Sequence, residues 1–69
     1  MTARQLRLAL RRVHLSQRGL AHRLEVDPRT VRHWTAGDSR IPTAVELLLV
    51  AWARYPRLIP PLPRQRRTG

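Results

Sequence analysis

Two guanidiniums and an imidazole lie close together at residues 29–33. At about 100° per residue of helix, Arg29, Arg32 and His33 share one side with Ala36, while Val31 and Trp34 share the other. A helix divided in this way can bury its apolar side and hold hydrogen-bond donors out to something acidic. Arginine can fork onto the paired acceptors O6 and N7 of guanine, and histidine can donate one bond to a base or contact a phosphate. Other chemistries find little footing. His14, His22 and His33 share no metal-ligand spacing, and no carboxylate completes a site with them. Ser16 has no base at a recognisable spacing, and no Gly-rich phosphate loop is present. Neither an enzymatic activity, a metal nor a cofactor is expected.

The donors must be positioned by helices, and residues 16–36 read as two short ones joined by a tight turn. Ser16 opens the first, since its hydroxyl can accept from a free backbone N–H at the helix start. Leu20, Ala21 and Leu24 recur at i, i+1 and i+4 and make an apolar stripe. The second helix opens with Asp27, a preferred N-cap, followed by Pro28, whose missing N–H has no intrahelical partner to lose at the first helical position. Gly37 supplies a left-handed exit.

These residues resemble, by their spacing, the helix-turn-helix of the Cro/repressor family of small bacterial and phage regulators. Leu15, Ser16 and Gln17 resemble the start of that family's second helix. Ala21, four residues after Gln17, stands where the family places a small residue so that two helices can touch. Leu24, Val26, Val31 and Trp34 match its buried positions, and Trp34, Thr35, Ala36 and Gly37 look like its common exit. The likeness covers roughly residues 6–54. One departure is Glu25, which stands where the family usually has Gly at the turn. Either Glu takes a positive φ with strain, or the turn is built differently.

The resemblance implies an all-α, lambda-repressor-like fold of four short helices, with a fifth turn left open. It implies sequence-specific binding of double-stranded DNA as a transcriptional regulator, chiefly an autorepressor that occupies an inverted-repeat operator in a phage or mobile-element promoter. By the same carry-over, Pro28, Arg29, Arg32 and His33 are the base-reading candidates, with Arg29 foremost. Gln17 matches the family's phosphate-bonding residue at the start of its second helix, where free N–H groups favour the same anion. Thr30 is a further phosphate candidate, and Arg18, Ser39 and Arg40 are candidate backbone clamps, which fix register without reading sequence. Phage Cro-like repressors, anti-CRISPR-associated autoregulators and helix-turn-helix antitoxins all fit equally; neighbouring genes would separate them. Two alternatives stand beside this reading. One is an antitoxin-like interaction module that holds a protein partner through its C-terminal tail. The other is a non-specific nucleic-acid binder, RNA included.

Length and charge frame both. Sixty-nine residues make one domain with a modest core. Fourteen arginines, no lysine and four acids leave a formal charge of +10, which points first to phosphate backbones. There is no cysteine, hence no disulfide framework, and no apolar run approaches a membrane span. The N-terminus lacks the apolar core of a secretory signal, so a cytoplasmic location is expected.

Along the rest of the chain, 1–13 reads as a first helix, capped by Thr2, with Leu6, Ala9, Leu10 and Val13 on one face and Arg4, Arg7 and Arg11 on another. Leu8 falls on the outer side without an account. Residues 38–42 form a loop between turn formers. A last helix over 43–54 has Thr43 and Glu46 as a capping box and apolar residues on every side, so it needs cover on every side. That requirement predicts a homodimer through Leu49 and Trp52, with Leu58, Ile59 and Leu62 docked on the helix or the partner. The domain therefore runs over 1–55. Residues 56–69 are a tail with an extended, polyproline-like run at 58–63 and a basic end at Arg64, Arg66 and Arg67.

Overall fold

A computed structural model describes residues 1–61. Four helices make up the domain: α1 (Ala3–Arg12), α2 (Gln17–Leu24), α3 (Pro28–Ala36) and α4 (Thr43–Arg54), followed by a 3-10 turn over Pro56–Leu58. The expected four short helices are present, and the fifth turn that the sequence left open is the 3-10 turn. The helix α3 packs on α2 and α1, α1 packs also on α4, and the 3-10 turn packs on α4. One core runs through them all, built from Leu6, Leu10, Val13, Leu20, Ala21, Val31, Trp34, Ile41, Val45, Leu49 and Trp52.

Local chemistry explains the starts of the first three helices. Thr2 and Gln5 form a reciprocal capping box, with the Gln5 N–H donating to Thr2 Oγ1 at 3.1 Å and the Thr2 N–H donating to Gln5 Oε1 at 2.8 Å. Ser16 Oγ accepts from the Gly19 N–H at 2.8 Å, and Asp27 Oδ1 accepts from the Arg29 N–H at 2.8 Å.

Their ends share a design that was legible at only one of them. His14, Glu25 and Gly37 lie in the left-handed region, at φ 59°, 58° and 84°. At each, the next residue's N–H reaches back five positions: Leu15 to the Leu10 carbonyl at 2.9 Å, Val26 to that of Ala21 at 3.0 Å, and Asp38 to that of His33 at 2.9 Å. Glycine supplies the turn only at residue 37. The departure at Glu25 is thus resolved as a positive φ taken by Glu, not as a differently built turn.

Two expectations are corrected. The first helix runs Ala3–Arg12 rather than over 1–13. Thr43 and Glu46 do not form a capping box. The chain enters α4 one residue early, with Pro42 in the cap position, so Thr43 is already helical and no side chain caps the helix. Glu46 instead accepts from the Met1 ammonium at 3.2 Å. Leu49 and Trp52, expected at a dimer interface, are 1% and 4% exposed in the single chain and lie in its own core. The apolar side chains that α4 leaves open are Leu47, Leu48 and Val50. In the tail, Leu58 is exposed and lies within the 3-10 turn Pro56–Leu58 rather than at an extended start, while Ile59 packs against the core. The expectations for residues 62–69 lie outside the described residues.

Candidate nucleic-acid interface

Recognition by α3 requires that one side of a short helix be anchored while the other stays open. Val31 is fully buried and Trp34 is 6% exposed, so the apolar side is anchored. Ala21 on α2, also fully buried, is a small residue in the same core, where two helices can approach closely. Two bonds within and behind the helix complete the anchoring. Thr35 is buried, and its hydroxyl is satisfied by donating to the Arg32 carbonyl at 3.0 Å. The Thr35 carbonyl accepts from the Arg7 guanidinium, which ties the end of α3 to α1.

On the open side, Arg29, Arg32, His33 and Pro28 are all exposed. Gln17, Arg18, Asp27, Pro28, Arg29 and Arg32 line one shallow cleft, where the starts of α2 and α3 meet. Its three guanidiniums come from two helices, and Gln17 and Arg18 bring the start of α2 to the same place. The start of a helix carries a positive partial charge. At α2 this adds to the attraction for an anion, whereas at α3 Pro28 has no N–H and those of Arg29 and Thr30 are already bonded to Asp27, so there the guanidiniums supply the attraction. On α1, Arg7 and Arg11 share a second depression with Leu10, Leu15, Ser16 and Gln17. Gln17 therefore stands between two basic depressions.

The structure brings together five of the nine candidate contacts: Gln17, Arg18, Pro28, Arg29 and Arg32. His33 lies apart from that cleft, with its Nδ1 3.5 Å from an Asp38 carboxylate oxygen. Thr30 is half-buried, which leaves it less reach than its neighbours. Ser39 and Arg40 are exposed in the loop after α3 and do not line the cleft.

Three neighbours went unnoticed in sequence. Asp27 reads as a cap, yet it also lines the cleft and puts one acid among its three arginines. Arg7 reads as one of three outward arginines, and no local pattern distinguishes the one that reaches α3. Asp38 reads as loop, although the turn at Gly37 returns it to His33. Among the described residues no group of histidines and acids could hold a metal ion, and no helix is long and apolar enough to cross a membrane. Compared with protein-family models, curated proteins and solved structures, the chain matches none.

Proposed function

We propose that the chain is a sequence-specific double-stranded DNA-binding transcriptional regulator, with α2 and α3 acting as a helix-turn-helix and α3 entering the major groove. The observation that carries the reading is the cleft in which Gln17 and Arg18 of α2 meet Pro28, Arg29 and Arg32 of α3, outside a helix whose other side is anchored by Val31 and Trp34. In this reading Arg29 and Arg32 reach base edges. Gln17 and Arg18 bond the phosphates that flank them, and Ser39, Arg40 and Thr30 touch the backbone farther along. The +10 charge supplies the sequence-independent attraction.

The regulator works as a homodimer and represses by occupying an inverted repeat. Leu47 and Leu48 of α4, together with Leu58, carry the apolar surface open to such a partner; Leu47→Glu should then lower the mass seen by sedimentation without unfolding the chain. Two recognition helices on one face of B-DNA call for half-sites about 10 bp apart, or a multiple of that, centre to centre.

Selection of bound DNA from a random pool tests specificity and symmetry together. An inverted repeat with that spacing is the expected result. Equal recovery of all sequences would reduce the protein to a non-specific basic binder and remove the reading.

A further inference from the structure

Leu8, the residue of α1 without an account in sequence, lines a groove between α1 and α4 with Met1, Gln5, Ala9, Val50 and Ala53. Leu8 is 53% exposed and Val50 56% exposed, so the groove carries apolar surface that the chain's own fold leaves open. Its two ends differ in charge. At one end the Met1 ammonium and the Glu46 carboxylate neutralise each other at 3.2 Å. At the other, Arg12 and Arg54 flank Val50 and Ala53, and nothing acidic lines that end. Leu8 and Arg12 are one turn apart on α1, and Val50 and Arg54 one turn apart on α4, so apolar and basic side chains repeat together along both walls.

We propose that this groove docks an amphipathic helix of another protein, one whose apolar stripe ends in acidic side chains. Helix-in-groove recognition needs an apolar floor for the i, i+3, i+4 and i+7 anchors and a rim that sets orientation. The floor here is Leu8, Ala9, Val50 and Ala53, and the rim is Arg12 and Arg54. Charge selects among the occupants. Residues 62–69 of this chain contain three arginines and no acid, so they would set base against base. A second copy brings the same +10, and the acid nearest its own groove is already paired with Met1. An acidic helix alone completes the rim. None of the groove's residues belongs to the cleft at the starts of α2 and α3, so a bound partner leaves that face open.

The test uses the full chain and two synthetic helical peptides with the same leucine stripe, one ending in glutamates and one in lysines. Fluorescence anisotropy without DNA is expected to show saturable binding of the glutamate peptide alone. Leu8→Gln should weaken it by about tenfold or more. Arg12→Glu combined with Arg54→Glu should abolish it and confer binding of the lysine peptide. Because both arginines are exposed, this charge exchange keeps the test valid even where Leu8→Gln does not fold. Three results overturn the proposal: no saturable binding, loss of binding on Arg29→Ala with Arg32→Ala instead, or conversion of a wild-type dimer to monomer by Leu8→Gln, which would make a second copy the occupant. Since no DNA is present, none of these outcomes depends on whether the chain recognises an operator.

Discussion

Replacing Glu25 by Gly should make the protein more stable. Glu25 ends α2 at φ 58° and ψ 43°, in the left-handed region. There a side chain with a Cβ crowds the following carbonyl, at a cost of about 1–2 kcal/mol. Its carboxylate is exposed and has no bond or ion pair among the described residues, so the substitution removes no contact seen there. It also sits at the negative end of the α2 dipole, where an acid costs a further ~0.3–1 kcal/mol. Against this, glycine loosens the unfolded chain by about 0.4–1 kcal/mol. The net gain is roughly 1 kcal/mol, and in a domain of this size that raises Tm by about 4–8 °C. Circular dichroism melts of wild type, Glu25→Gly, Glu25→Gln and Glu25→Ala at one salt concentration separate the terms. Gln removes only the charge, Ala removes the charge but keeps the Cβ, and Gly removes both. The expected order of stability places Gly first. His14→Gly, at φ 59°, should repeat the effect at the end of α1. If Glu25→Gly melts at or below Glu25→Gln, the turn is not strained and the argument fails.

Other expectations concern the core and the interface. Trp34→Ala should leave a cavity beneath α3 and cost about 3–5 kcal/mol in urea unfolding; wild-type stability with only DNA affinity lost would mean that the two faces of α3 are reversed. Ala21→Leu should overpack the core and cost about 1–3 kcal/mol by the same measurement. On a selected operator, Arg29→Ala should cost about 1–3 kcal/mol and relax preference at one base pair per half-site. Arg40→Ala should instead weaken cognate and random DNA alike and lower the salt slope by about one unit per site. Identical behaviour of the two variants would argue against base reading by Arg29.

What could be read without a structure was whatever depends on neighbours in sequence. Ser16, Asp27 and Pro28 mark helix starts because capping is local, satisfied within three residues. Val31 and Trp34 opposite Arg29 and Arg32 predict an anchored and an open side because helical period places them there. The four helices and the burial of Leu20, Ala21, Val31 and Trp34 follow from those two signals. Tertiary structure decided what depends on approach across the chain. Helix α4 is apolar on every side in sequence, so periodicity cannot tell its core side from its open one; packing on α1 and on the 3-10 turn buries Leu49 and Trp52 and leaves Leu47, Leu48 and Val50 outside. Glu46 lies three residues after a threonine, the spacing of a cap, yet a one-residue shift in where α4 begins frees it for Met1, 45 positions away. Arg7 looks like Arg4 and Arg11 until α3 is laid across α1 and its last-turn carbonyl finds one of the three. The cleft has the same origin: Gln17 and Arg18 come within reach of Arg29 and Arg32 only when α2 and α3 pack, because the turn at Glu25 sets an angle that no single residue type encodes.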